Sequence, residues 1–401
     1  MHLVDVPLLL ILAGLSAYAV LGGADFGAGM WQLVGGPRLR EHAHHSMGPV
    51  WEANHVWLIF VLVVCWTAYP RAFGSIMSTL AVPFFIAGIG IVLRGTAYAL
   101  RSGTVSLREQ RTVEIVLACS SILTPFALGA AIGGIASGRV PVGNAGGDLA
   151  SSWLNPTSAL TGGLAVVTAV YLAAVYLAAD GVRLGDAELV RAYRLRALVS
   201  GLVAGAVALG GLLVVRSDAR PIWDGLTSGS GLAAVIVSAV AGTATLLAIL
   251  QGRFQLARGT ATLAVAAIAV GWVLAQRPVF LPGLTIEEAA AGRSTLWAII
   301  VTVAIGAVVL VPSLFFLFRL VLRGRFDADE PEPEPVAAAT PARARPNLLL
   351  VAGACLAVGA GLMLVVDTRW ARIVGVVGLF GFLVTGFLVV ATSAAEGEPQ
   401  E

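Results

Sequence analysis

The chain has 401 residues, 58% of them hydrophobic and 12% charged, with 47 glycines and a formal net charge of +2. That apolar excess is more than a water-soluble fold buries and is the profile of an all-α polytopic membrane protein. All 25 basic residues are Arg, spread over the connecting segments, so the small positive balance excludes a nucleic-acid-binding patch.

Eleven apolar segments are long enough to cross a hydrocarbon core of about 30 Å as helices, the spanning form in which a chain satisfies its own backbone polar groups. They cover 7–31, 50–69, 72–100, 113–136, 158–179, 197–215, 231–250, 260–275, 295–322, 347–366 and 372–393. The first follows Met1 to Val6 with neither a basic region nor a small-residue cleavage site, so it reads as a retained span and not a removed signal peptide. The tight break at Tyr69-Pro70-Arg71 predicts that the second and third spans form an antiparallel hairpin. The span at 260–275 is the shortest. Gly23 with Gly27, Gly129 with Gly133 and Gly134 with Gly138 place small residues four apart and permit close helix contact. Cys65, Cys119 and Cys355 each fall inside an apolar segment without metal-ligand spacing and read as small membrane-buried side chains.

Residues 326–346, "FDADEPEPEPVAAATPARARP", alternate acid with proline and then turn to Ala and Arg. Such a run can neither form a core nor continue a helix, and reads as a disordered cytoplasmic linker. It divides the chain into a nine-span core, 1–325, and a C-terminal transmembrane hairpin and tail, 347–401, whose turn is Asp367 to Arg369. Arginine is retained on the cytoplasmic side during insertion. With the N-terminus outside, the inner connections carry 16 Arg and the outer ones 8, while Arg94 lies within a span. The chain therefore reads as N-out and C-in.

An ionisable group at membrane depth costs about 2.5–3.5 kcal/mol on insertion scales and has a partner or a task. Asp25, in "LGGADFGAGMW", lies six residues before Trp31 at the inner end of the first span, about 9 Å below that end. Arg94, in "IVLRGTAYALR", lies six residues before Leu100 at the inner end of the third, and so shares that depth. Glu52 sits at the inner start of the second span and Glu114 opens the fourth. Two readings stand side by side. In one, Asp25 and Arg94 lock two helices together and Glu52 merely complements a helix dipole. In the other, carboxylates near the inner surface form the mouth of a proton path, which His55, one turn from Glu52, extends.

The histidines are His2, His42, His44, His45 and His55, with none beyond. A bundle with axial histidines buried in mid-span is excluded, and the "HAHH" run at 42–45 reads as a solvated loop, not a metal site. Two rival classes stay open. A secondary transporter would place discontinuous helices at mid-membrane, and a purely structural scaffold would need no acid at position 52.

"GGADFGAGMW" in the first span, "GPVWEANHVWLI" opening the second, Arg94, "LNP" at 154–156 and "LTIEEAAAGRSTL" at 284–296 together make residues 1–325 resemble subunit II of the cytochrome bd-type quinol oxidases. The resemblance implies nine helices as two four-helix bundles plus a peripheral helix, packed against a subunit I that holds b-type haems, a d-type haem and the quinol site. It implies a bacterial plasma-membrane location and no cofactor on this chain, with subunit I, small accessory subunits, quinol and lipids as partners. It places Glu52 on the proton path from the cytoplasm, with Asp25 as the acid of the first-span motif. It also puts Trp57 near an oxygen route and Trp51 beside the acidic position. Residues 326–401 have no counterpart in that pattern.

Overall fold

The computed structural model describes residues 2–47, 51–101, 107–322 and 346–365, and helical pieces between 370 and 385. It divides into two compact units, Met1–Leu322 and Arg323–Glu401. Among the described residues eight helices are long and apolar enough to cross a membrane, and Asn54–Ala68 and Leu350–Gly359 are shorter apolar helices. The chain is therefore a multi-pass, all-α membrane protein.

The first span is two helices, α1 (Asp5–Ala17) and α2 (Gly23–Val34), joined without a break by a π-helical turn, Tyr18–Gly22. That turn was not legible in the sequence. It widens the backbone ladder locally, and Asn54 Nδ2 donates to its Leu21 carbonyl at 3.3 Å. After α2 comes α3 (Pro37–Met47), where a solvated loop was expected. The reason is amphipathicity. Ala43 and His42 are buried on α3, while Glu41 stays exposed.

The second span, α4 (Trp51–Ala68), runs back to the far side. The predicted tight hairpin is altered there, because α5 (Pro70–Thr79) intervenes before α6 (Ala81–Arg101). Its hydroxyls explain the difference. Ser75 Oγ accepts from the Gly143 N–H at 2.9 Å and Ser78 Oγ from the Ala145 N–H at 2.8 Å, so α5 holds a polar loop instead of facing lipid.

Four long helices follow, α7 (Leu107–Ala136), α8 (Pro156–Arg183), α9 (Ala187–Asp218) and, after the short α10 (Arg220–Leu226), α11 (Gly229–Leu250). The shortest predicted span becomes a full helix, α12 (Phe254–Gln276). A small antiparallel pair, β1 (Val279–Leu281) and β2 (Leu284–Thr285), leads through α13 (Ile286–Ala289) to α14 (Arg293–Leu322). Two of the sequence motifs prove to be helix starts. Asn155 of "LNP" caps α8 by accepting the Ser158 N–H at 2.9 Å, with Pro156 as the first helical residue. Thr285 and Glu288 form a reciprocal capping box on α13, and the Thr285 N–H it accepts holds the Glu288 carboxyl below its ordinary pKa.

Within this unit α2 packs on α8 and α7, α6 on α7, α7 on α8, α8 on α9, α11 on α12, and α1 on α4. The closest approach is made by Gly27, where an added Cβ would run into the Ala169 carbonyl of α8 and lie 2.7 Å from the Ala173 methyl. In the second unit, α15 (Pro346–Val365) matches the predicted span 347–366. Added Cβ atoms on Gly359 and Gly381 would lie 2.8 Å from Leu379 N and 3.1 Å from Cys355 Sγ, so this pair of helices meets on small residues. Residues 323–345, nearly the whole of the predicted linker, lie outside the described residues.

Candidate functional site

The chemistry-bearing groups converge at the end of the bundle where α3 lies. Asp25 sits in the first turn of α2 and Arg94 two turns before the end of α6. Both are wholly buried, 0% exposed, and Arg94 Nη2 donates to Asp25 Oδ1 at 2.6 Å and to the Asp25 carbonyl at 2.9 Å. Arg94 Nη1 donates to Ser121 Oγ of α7, so the guanidinium ties three helices. Its flat faces are covered by Phe26 and Tyr98, with the guanidinium carbon 5.1 and 5.2 Å from the ring centroids. Gly29 leaves the room for this, since a Cβ there would collide with Ser121 Oγ and lie 2.6 Å from Arg94 Nη1. The equal depth read from the sequence is thus matched by a direct ion pair. Two of its atoms, Asp25 Oδ2 and Arg94 Nε, are buried without a hydrogen-bond partner among the described residues.

Around this pair the site residues separate into two groups. His55, half-buried on α4, meets Tyr18 and Phe26 edge-on, with ring centroids 6.1 and 5.9 Å apart. Trp57 packs against the cluster of Tyr18, Phe26, Met30 and Ala169 and meets Phe60 edge-on at 6.3 Å. The side chains of Glu52 and Trp51 lie outside the described residues, and their backbone forms the first turn of α4, below His55. On the other side, Tyr98 Oη lies 3.5 Å from Arg94 Nη2, and His44 of α3 stacks on Tyr98 with ring centroids 5.4 Å apart and planes 19° apart.

At the rim, Arg40 of α3 pairs with Glu114 of α7 at 3.0 Å and donates to the Gln32 carbonyl at 3.2 Å. Glu114 therefore anchors α3. His42 is buried against α8, with Nε2 3.4 Å from the Leu177 carbonyl and 3.6 Å from Asp180 Oδ2. Burial lowers its pKa from the ordinary value, against the opposing pull of Asp180. The HAHH run is thus helical, with His42 and Ala43 buried and His44 half-buried. Among the described residues no group of three or more His, Cys, Asp or Glu stands where a metal ion could be held.

Sequence reasoning missed Tyr18, Tyr98 and Ser121. Tyr98 had a signal, one turn after Arg94 on the same helix face. Ser121 had one too, in the hydroxyl stripe Ser120, Ser121 and Thr124 of an otherwise apolar span. Tyr18 had none, because the π-helical turn sets where its ring points.

Beside the polar centre lies an apolar cavity of about 260 Å³, lined by Tyr18, Phe26, Leu58, Cys65, Phe84 and Trp272 among others.

Comparison with known proteins gives this arrangement its setting. The family model described as cytochrome bd terminal oxidase subunit II matches residues 3–321. A protein of Bacillus subtilis (strain 168) provisionally described as cytochrome bd menaquinol oxidase subunit II is 23% identical over 332 residues, covering 77% of this chain and 92% of its own. Cytochrome bd ubiquinol oxidase subunit 2 of the same organism is 29% identical over 127 residues, 31% of this chain and 38% of its own. Among solved structures, a chain of the bd oxidase from Geobacillus thermodenitrificans superposes with a TM-score of 0.65 and 25% identity, covering 80% of this chain and 99% of that one. A polytopic helical bundle with a buried acid and arginine at one end, matched from residue 3 to residue 321 by one family model, leaves a single assignment: the chain belongs to the cytochrome bd terminal oxidase subunit II family.

Proposed function

We propose that this chain is the haem-free membrane subunit of a quinol:oxygen oxidoreductase, that it leads cytoplasmic protons toward the site of oxygen reduction, and that it offers oxygen an apolar way in. The partner is a haem-bearing subunit I, which on this reading holds the b- and d-type haems and the quinol site and carries out electron transfer. The residues here give little purchase for an axial haem ligand, because no His follows His55, His42 faces Asp180 and the Leu177 carbonyl, and His55 is enclosed by aromatic rings.

The observation that carries the proton reading is Asp25, a buried carboxylate with one oxygen paired to Arg94 and the other without a partner among the described residues. Burying a charge is costly, and an oxygen left unpaired beside an ion pair is a place for an arriving proton. The second-span motif supports Glu52 as the entrance and His55 as the next group inward, since His55 stands one turn above Glu52 and against Tyr18 and Phe26. The arginine asymmetry supports an orientation with the α3 end in the cytoplasm. Oxygen, being small and apolar, partitions into the cavity beside Tyr18, and the Trp57 cluster forms its flank.

The test is Glu52→Gln in the assembled complex. Haem content should be unchanged, with turnover lowered by at least about tenfold, as removal of a proton-transfer group does, and Glu52→Asp should keep more of the rate. Full turnover in Glu52→Gln would remove this residue from the path.

A further inference from the structure

We propose that His44 and Tyr98 form a second proton entrance to Asp25, separate from the one through Glu52. The inference rests on the reading of Asp25 as a proton-accepting site and adds to it a route that no sequence motif indicated.

The geometry runs inward without a gap in polar character. His44 lies on α3 at the edge of the bundle and is half-buried. It stacks on Tyr98 at 5.4 Å. Tyr98 is half-buried in turn, and its hydroxyl reaches Arg94 Nη2 at 3.5 Å. The same Nη2 lies 2.6 Å from Asp25 Oδ1. Tyr98 Oη and Asp25 Oδ1 therefore both lie against one nitrogen of Arg94. Exposure falls along the series from half-open His44 to a pair that is 0% exposed.

His44 and Tyr98 meet face to face, and in this route water carries the proton from one to the other. A protonated His44 gives its N–H proton to water. That water protonates the Tyr98 oxygen as the phenol passes its own proton to a second water, and this water gives one of its protons to Asp25 Oδ2, which becomes a carboxylic acid. One proton moves, no electron moves, and Tyr98 ends as it began. Arg94 tolerates the brief loss of its counter-charge because four other groups hold it: the Asp25 carbonyl, Ser121 Oγ, and the faces of Phe26 and Tyr98. These contacts keep the cation in place while the carboxyl is neutral, which a bare ion pair would not do.

The experiment uses the assembled, haem-loaded complex and measures proton uptake during a single turnover. Tyr98→Phe keeps the ring on which His44 and Arg94 pack and deletes only the hydroxyl. Alone it should lower uptake by no more than about a tenth, because the Glu52 route carries most of the flux, while uptake in Glu52→Gln with Tyr98→Phe should fall at least about tenfold below Glu52→Gln. His44→Ala in the Glu52→Gln background should slow uptake likewise, and added imidazole should restore it, an effect that a packing role would not produce. An unchanged rate when Tyr98→Phe is added to Glu52→Gln, or no rescue of His44→Ala by imidazole, overturns the second entrance. If Glu52→Gln itself leaves uptake unchanged while Tyr98→Phe abolishes it, the Glu52 reading fails and the His44 route stands as the entrance.

Discussion

Arg94 is a cation with 0% exposure in the interior of an apolar bundle, and its stability depends on what touches it. A charge removed from one side of a buried pair typically costs about 3–5 kcal/mol, because the other charge stays buried. Asp25→Asn and Arg94→Gln should each lower the yield of haem-loaded complex sharply. The double variant should recover part of that loss, since the desolvation cost goes with the charges. Strictly additive losses in that cycle would contradict the pair. Both residues were legible as charges in apolar spans, and their equal depth followed from counting residues to the helix ends. What they touch was not legible. Ser121 lies 27 residues from Arg94 and is brought to it by the packing of α7 on α6, a register that one sequence does not encode locally.

At the scale of elements, the long apolar runs announce themselves because a helix in lipid must satisfy its own backbone and cover it with apolar side chains. The ends of these helices were less legible, and polar side chains explain why. The region 37–47 reads as loop by its mean polarity, yet alternates a docking face with an exposed one and so folds as α3. The run 72–79 reads as span, yet its serines hold the 143–145 loop. The π-helical turn is fixed partly by Asn54, 33 positions away. The glycine spacing, by contrast, was a sound guide at Gly27, which lies against the α8 backbone. Gly27→Val should therefore destabilise the bundle by about 1–3 kcal/mol through overpacking and lower its melting temperature. Gly36→Ala, with nothing within 4 Å of the added methyl, should leave it unchanged. Equal melting of the two variants would mean that α2 and α8 do not meet in this way.

Within Met1–Leu322 the fold places its polar centre at one end and the β1–β2 hairpin with the polar 143–145 loop at the other, so orientation decides which aqueous phase feeds the site. The N-out orientation predicts, in a variant lacking Cys65, Cys119 and Cys355, that a cysteine at exposed Leu149 is labelled by a membrane-impermeant maleimide in intact cells. A cysteine at exposed Leu184 should be labelled only after permeabilisation, and the reverse pattern would invert the topology. The central claim is that this subunit carries cytoplasmic protons to the oxygen-reducing partner. The most direct measurement is the electrical signal of proton uptake in complexes reconstituted with one orientation in vesicles and triggered to a single turnover. Glu52→Gln should slow the proton-uptake phase at least about tenfold, while the preceding electron transfer in the haem-bearing subunit keeps its rate. An uptake phase of unchanged rate and amplitude in Glu52→Gln, and again in Glu52→Gln with Tyr98→Phe, would contradict it.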